Sequence, residues 1–292
     1  MKCDLCPRKC LVDRKKGEKG ICGQTENLKV ARAALHFWEE PCISGDAGSG
    51  AVFFSGCPLH CVFCQNENIA NGTVGKEISL ERLVDIFLEL QEKRANNINL
   101  VTPGHFVPQI VKALDQARKE GLTLPVVYNT SSYETVDTIK MLEGYVDIYL
   151  PDFKYMSPVL SKKYSHAPDY AEVAKAAIAE MVRQTGKAVF VNGDEDNLIL
   201  SGTIVRHLTL PGCMADSMQI LKYLHDTYGD MIYISIMNQF TPLSNLEKYP
   251  ELNRRITDEE YETLVDYAIE IGIENGFIQE GNTAEESFIP AF

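Results

Sequence analysis

The chain has 292 residues, enough for one large α/β domain that need not be split. Its formal charge of −13, from 28 Lys and Arg against 41 Asp and Glu, argues against a nucleic-acid surface, because phosphate binding rests on clustered Lys and Arg. No apolar run approaches a membrane span, and Met1-Lys2-Cys3-Asp4 leads into cysteines and charges rather than a signal peptide. Nine cysteines in such a chain read as metal ligands in a reducing cytoplasm, not as disulfides.

Four of them stand at the start, as Cys3-x2-Cys6-x3-Cys10-x11-Cys22, punctuated by Gly17, Gly20 and Gly23. A polar segment this short cannot fold on a core of its own, so four thiolates imply a metal that organises it. Zinc is the default for four cysteines, and the C-x2-C-x3-C start also fits an iron–sulfur ligand set. The spacing leaves both open. Residues 29–50 connect this extension (1–48) to the main domain (49–292). They hold the single Trp38 with His36 and Cys42, either of which lies near enough in sequence to join a metal site, though a lone cysteine is more often a small buried hydrophobe.

From Ala51 onward, β-branched or aromatic runs alternate with amphipathic stretches, and the runs at 51–54, 98–101, 125–128, 146–150, 203–210 and 231–236 read as strands. Leu80, Leu83, Val84, Phe87 and Leu88 recur at helical spacing behind an N-cap Ser79. Val107, Ile110, Val111 and Leu114 repeat the stripe, as do Ala174, Ala177, Ile178, Met181 and Val182. Ser131-x-x-Glu134 and Thr257-x-x-Glu260 read as capping boxes, the second opening a helix lined by Tyr261, Leu264, Val265, Ala268 and Ile269. Residues 186–202, with Asn192-Gly193, read as a hairpin or flap before the fifth strand. Six strand–helix units in succession mean parallel strands with right-handed crossovers, and six rather than eight leave the ring open. The expected fold is α/β, a partial (β/α)6 barrel of parallel strands with a cysteine-rich N-terminal metal-binding extension. The stretch up to Arg255 and the tail Phe277–Phe292 are expected to cover the open edge.

The chemistry concentrates on Ser55-Gly56-Cys57-Pro58-Leu59-His60-Cys61-Val62-Phe63-Cys64-Gln65-Asn66, a loop leaving the first strand. Its C-x3-C-x2-C spacing lets three thiolates converge on one corner of a metal centre. A structural zinc wants four ligands and a closed tetrahedron. Three thiolates suit a cubane 4Fe–4S cluster with one iron left open, where a small molecule binds and is reduced. The loop, with Phe63 directly before its last cysteine, resembles the signature of the radical S-adenosylmethionine (SAM) enzymes. Gln65-Asn66 and much of the chain beyond resemble the pyruvate formate-lyase-activating-enzyme homologues, among which similar cysteine-rich N-termini occur.

That resemblance implies a partial (β/α)6 barrel with its site at the carboxyl ends of the strands. It gives the 4Fe–4S cluster to Cys57, Cys61 and Cys64, with Phe63 and Asn66 beside the bound SAM. After the second strand, related activating enzymes carry Gly-Gly-Glu around the methionine amino group. Here the chain runs Val101-Thr102-Pro103-Gly104-His105, which leaves Thr102 and backbone carbonyls for that task. Asn129 and Thr130, after the third strand, match positions that meet the ribose or a monovalent cation. Asp152-x-Lys154, after the fourth, matches the Asp-x-Lys pair that meets the methionine carboxylate, ribose and cation. Arg206 on the fifth matches the arginine that pairs with the methionine carboxylate through its two-donor fork. His207 alternates to the opposite face and reads as structural. Gln239, with Ser235 and Asn238, follows the sixth strand toward adenine and substrate, Cys213 reads as a buried thiol, and His105 as an exposed helix start or a site-lining group.

The implied activity is reductive cleavage of SAM at the cluster, giving a 5′-deoxyadenosyl radical that takes a hydrogen atom from a substrate. By analogy that substrate is a backbone glycine of a glycyl radical enzyme. Another peptide or a small metabolite is the alternative, and a non-catalytic metal-binding module the second. The expected partners are a flavodoxin- or ferredoxin-type electron donor and a protein or peptide substrate, with no nucleic acid and no membrane, in an anaerobic or facultative source. No Gly-x-Gly-x-x-Gly and no phosphate loop is present to support nicotinamide or nucleoside-triphosphate chemistry.

Overall fold

A computed structural model describes residues 2–194, 197–243 and 246–279. Its strands are β1 Lys29–His36, β2 Ser49–Phe54, β3 Lys76–Glu77, β4 Ile98–Val101, β5 Val126–Thr130, β6 Ile148–Pro151, β7 Val189–Phe190, β8 Ile199–Leu208, β9 Tyr233–Met237 and β10 Gly276–Ile278. The α-helices are α1 Pro41–Ser44, α2 Glu67–Ala70, α3 Leu80–Glu92, α4 Val107–Lys119, α5 Val136–Lys140, α6 Pro158–Ser165, α7 Tyr170–Thr185, α8 Met214–Tyr228 and α9 Asp258–Glu270. The sheet runs β10-β9-β8-β6-β5-β4-β2-β1-β3, with β7 paired to β8 off this path.

Neighbours from β2 to β10 all pair parallel, so each of the six strands read from the sequence takes its place in an α/β sheet. β10 adds a parallel strand beyond β9, too short a run to stand out in the sequence. β1 lies antiparallel on β2, from Val30 opposite Phe54 to His36 opposite Ser49. Residues 29–36 are therefore sheet, an element absent from the sequence reading. β7 pairs antiparallel with β8, which supplies the hairpin expected in 186–202. Of the tail Phe277–Phe292, residues 280–292 lie outside the described residues.

The period of two along each strand sorts the side chains into two layers. Ile98 and Leu100 of β4, Val126 and Tyr128 of β5 and Tyr149 of β6 pack with the apolar stripes of α3, α4 and α7. The alternate residues Val127, Ile148, Leu150, Ile204 and Tyr233 form a separate cluster inside the ring. Cys42 and Ile43 of α1 join that inner cluster. The chain thus descends along β1 and turns into the barrel interior, where Asn97 Nδ2 donates to the Ile43 carbonyl at 2.8 Å. A plug from outside the six repeating units closes the floor.

The helix signals hold in part. Ser79 accepts from Arg82 N, and Thr257 with Glu260 makes a complete capping box. Ile269, read as part of the stripe of α9, is 64% exposed. Ser131-x-x-Glu134 is not a capping box: α5 starts later, capped by Thr135. Glu134 instead turns inward, where its Oε1 accepts from Thr130 Oγ1 at 2.8 Å and Tyr128 Oη at 3.2 Å. Hydrogen bonding to buried hydroxyls here outcompetes reaching an already capped helix end.

Burial pushes the Glu134 carboxyl up to about 7, against lowering by Thr130 and Tyr128. The folded chain then binds a proton that the unfolded chain releases near its ordinary value, so stability falls as pH rises between the two. We expect the melting temperature to drop by a few degrees from pH 5 to pH 8, and Glu134→Gln, which keeps the acceptor and cannot ionise, to flatten that slope. A scan of melting temperature against pH on both proteins checks this. An unchanged slope in the variant places the titration elsewhere.

Candidate functional site at the open end of the barrel

The loop from Ser55 to Asn66 is fixed before any ligand arrives. Gly56 N donates to the Ile69 carbonyl (2.8 Å), Val62 N to the Tyr164 carbonyl (2.9 Å) and Cys64 N to the Cys61 carbonyl (3.1 Å). Gly56 sits at φ +92, and a Cβ there would lie 2.5 Å from the Cys22 carbonyl oxygen, so only glycine lets the loop pass the N-terminal segment. Ser165 Oγ donates to Cys61 Sγ at 3.1 Å and is itself bonded to Tyr155 Oη at 2.8 Å. Burial raises the three thiols, Cys57 to about 11 and Cys64 to about 12; a neighbouring cysteine or carboxylate raises each further, and Lys154 lowers each. Such a set wants positive charge.

The thiols face a cavity of about 210 Å³ lined by Cys57, Cys61 and Cys64 together with all nine residues assigned to SAM: Phe63, Asn66, Thr102, Asn129, Thr130, Asp152, Lys154, Arg206 and Gln239. Phe63 is held edge-on by Tyr155 and Phe240, at ring-centroid distances of 6.5 and 5.9 Å. Thr102 adopts φ +53, a left-handed conformation that costs a β-branched residue about 1–3 kcal/mol. Its N–H donates to the Asn129 carbonyl at 2.9 Å, tying the ends of β4 and β5 together.

The opposite wall is a charge network. Arg206 donates from Nε to Asp152 Oδ1 (2.9 Å), from Nη1 to Glu39 Oε2 (2.9 Å) and from Nη2 to Asn129 Oδ1 (2.6 Å). Three of its five N–H donors are thereby engaged. Lys154 Nζ reaches Asp152 Oδ2 at 2.7 Å. Burial alone would push the Asp152 carboxyl up, but Lys154 and Arg206 together hold it below its usual range. Burial likewise opposes the Lys154 charge, and Asp152 with Cys61 restores it. Both residues are ionised, and a cation stands beside the thiols.

Glu39 was not legible as a site residue. It comes from the plug, with its side chain 8% exposed, and its Oε1 accepts from Asn99 Nδ2 (3.0 Å) and Asn129 Nδ2 (3.2 Å). The only trace in the sequence is an acidic pair, Glu39-Glu40, next to Pro41 in an otherwise apolar run. Glu40 is also buried, and burial first, then Glu39, raises its carboxyl against Arg206 and a hydrogen bond from Ser235. Ser235 therefore serves the plug rather than the cavity. A second chamber of about 150 Å³ shares Phe53, Gln65, Asn66, Asn129, Arg206 and Gln239 with the first and reaches His36 and Trp38.

Other sequence candidates fall elsewhere. His105 is buried rather than exposed and does not line the cavity: Nε2 donates to the Ser55 carbonyl at 2.7 Å, and burial lowers the ring to about 3. His207 is fixed with Nδ1 donating to the Phe153 carbonyl and Nε2 accepting from Ser217 Oγ, both at 2.8 Å. Cys42 packs in the barrel floor, and Cys213 against the cluster formed with α8 and α9. Cys3, Cys6, Cys10 and Cys22 form a separate set on the N-terminal extension.

The residues fit the cluster and SAM. Three thiols share one cavity, both charge signs needed for a zwitterion stand opposite them, and the Asn66 Oδ1 that lines it is buried without a partner. Replacing Glu39 by Ala should leave Arg206, Asn99 and Asn129 short of one acceptor group and cost about 3 kcal/mol. Chemical denaturation of cluster-free protein reads this directly, and a loss under about 0.5 kcal/mol would place Glu39 outside the network's energetics.

Residues 51–197 match the family model of the radical SAM superfamily. An uncharacterized protein of Methanocaldococcus jannaschii is 27% identical over 275 residues, covering 91% of this chain and 74% of that one. Among solved structures, Streptococcus suis SuiB bound to S-adenosylmethionine superposes with a TM-score of 0.53 at 13% identity over 79% of this chain and 50% of that one. The [FeFe]-hydrogenase maturase HydG gives 0.52 at 15% identity over 80% of this chain and 52% of that one. The chain thus spans about half the length of these two structures, and the likeness concerns the fold.

Proposed function

The chain belongs to the radical SAM superfamily, and on that premise we propose that it cleaves SAM reductively and abstracts a hydrogen atom from a peptide. A 4Fe–4S cluster with an open iron supplies, when bound with SAM and reduced, methionine and a 5′-deoxyadenosyl radical. The protein's own residues would do the rest. Cys57, Cys61 and Cys64 hold the cluster, and Lys154 offsets part of their negative charge. Asp152, Lys154 and the two unengaged donors of Arg206 orient the amino-acid end of SAM, with Thr102 and its strand-end carbonyls at the amino group. Asn129, Thr130 and Gln239 bracket the nucleoside. The observation that carries this reading is the shared cavity: the three thiols and the Asp152–Lys154–Arg206 group line the same 210 Å³.

The preferred substrate is a backbone glycine of a glycyl radical enzyme, on the likeness of the cluster loop and of Asp152-x-Lys154 to activating enzymes. The chamber beyond Gln65 and Gln239, edged by a Trp38 that is 57% exposed, supports a peptide by offering side-chain amides and an aromatic face to a neutral backbone. Enzymes of this superfamily need an electron donor, and a flavodoxin or ferredoxin is proposed. Nine free thiols are in keeping with a reducing, oxygen-poor cytoplasm. Among the described residues, no helix is long and apolar enough to cross a membrane.

Protein reconstituted without oxygen and reduced with dithionite should convert SAM to 5′-deoxyadenosine and methionine, with the yield from Cys57→Ala at background by chromatography. No product from a loaded, reducible cluster would sink the reading. Deuterium moving into 5′-deoxyadenosine from an α-deuterated glycine peptide supports the peptide assignment, and transfer only from a small metabolite replaces it.

A further inference from the structure

Resting on the cluster reading proposed above, we infer that Ser165, backed by Tyr155, is a positioning residue that makes the cluster at Cys57, Cys61 and Cys64 easier to reduce. Ser165 is the last residue of α6 and is fully buried. A helical serine often turns its hydroxyl onto a carbonyl one turn back, as Ser161 does on Pro158 at 3.3 Å. Ser165 instead reaches Cys61 Sγ, 104 positions away in the chain, at 3.1 Å. A hydroxyl carries one proton, and that contact takes it. The 2.8 Å contact between Tyr155 Oη and Ser165 Oγ is therefore donated by the tyrosine. Burial raises the Tyr155 phenol well above its ordinary range, so it keeps the proton that this donation needs. Two hydroxyls in series end on one ligand sulfur.

Bonds on either side hold this geometry. Val62 N, next to Cys61, donates to the carbonyl of Tyr164, next to Ser165, at 2.9 Å. His166 turns left-handed at φ 52 and ends α6, which leaves the last carbonyls of the helix open. Arg8 of the N-terminal extension donates to two of them, Ser165 at 2.9 Å and His166 at 2.6 Å. The same guanidinium donates to the carbonyls of Pro58 (2.8 Å) and Leu59 (3.3 Å). One side chain thus fastens the end of α6 to the loop that carries Cys57 and Cys61. The Tyr155 ring is packed edge-on against Phe63 and Tyr170, at centroid distances of 6.5 and 5.4 Å.

An added electron places negative charge on a cluster and on the sulfurs that ligate it. An O–H dipole aimed at such a sulfur stabilises that charge, and hydrogen bonds to the sulfurs are among the factors that set a cluster's potential. Burial strengthens the effect, because the local dielectric is low and the second hydroxyl polarises the first. Cys57, by contrast, takes a backbone N–H, from Leu59 at 3.5 Å. The donor on Cys61 is shorter and belongs to a side chain, so a substitution can remove it by itself.

The test is the midpoint potential of the cluster, followed by electron paramagnetic resonance during dithionite titration of oxygen-free, iron-loaded protein. Ser165→Ala should lower the potential enough to cut the reduced fraction about tenfold at a fixed poise, about 59 mV for one electron. Tyr155→Phe, which leaves the bond to sulfur in place, should lower it by less. A role in packing alone would leave the potential where it is. With iron content matched to wild type, a Ser165→Ala potential at or above the wild-type value overturns the inference. Should Ser165→Ala fail to fold or to load iron, Tyr155→Phe decides: a lowered potential supports the relay, and an unchanged one refutes it. A wild type that takes up no cluster would overturn this inference together with the proposed function. A wild type that forms 5′-deoxyadenosine while Ser165→Ala keeps its potential refutes this inference and leaves the SAM chemistry standing.

Discussion

Everything at the open end of this barrel depends on Arg206 staying charged in a place where burial opposes it. Asp152, Glu39 and Glu40 restore that charge, and Asn129 takes up a further donor. Breaking a buried pair leaves the other charge uncompensated, which costs several kcal/mol, so each partner holds the rest. The network ties four separate elements at one point: the plug, β5, the end of β6 and β8. A guanidinium already held by three bonds needs little reorganisation when a ligand arrives, and two of its donors remain for that ligand.

The plug packs beneath the site. Cys42 and Ile43 fill the barrel floor with Val127, Leu150 and Ile204, and Glu39 rises from that floor to Arg206. Because β1 leads directly into this segment, the N-terminal extension, β1 and the carboxylate of Glu39 lie on one continuous stretch of chain. The extension meets the site a second time through Arg8 and through Cys22 against Gly56. Two cysteine-rich segments far apart in their spacing patterns thus share one wall, and ordering one restrains the other.

Most of the parallel sheet could be read from residue patterns, since strands buried on both faces are runs of apolar residues and their helices carry stripes with a fixed period. β1 escaped because Lys29–His36 mixes Ala with Lys, Arg and His, and its strand character comes from pairing with β2. β10 is three residues long and exists by its register on β9. The capping-box pattern at Ser131 misled because local spacing says nothing about a buried hydroxyl waiting at Thr130. His105 misled for a similar reason, the Ser55 carbonyl being supplied from 50 residues away.

The sequence by itself determined that Cys57, Cys61 and Cys64 share one short loop, because spacing is a local property of a short segment. It also determined the strand ends where Asp152, Lys154 and Arg206 stand, since the strand period fixes which side chains face inward. Only the tertiary structure decided what compensates them. Glu39 lies 167 positions from Arg206 and belongs to none of the repeating strand–helix units. Burial and charge pairing depend on distances between elements that no spacing along the chain encodes, so the carboxylate that stabilises the arginine emerged only once the plug was folded inside the barrel.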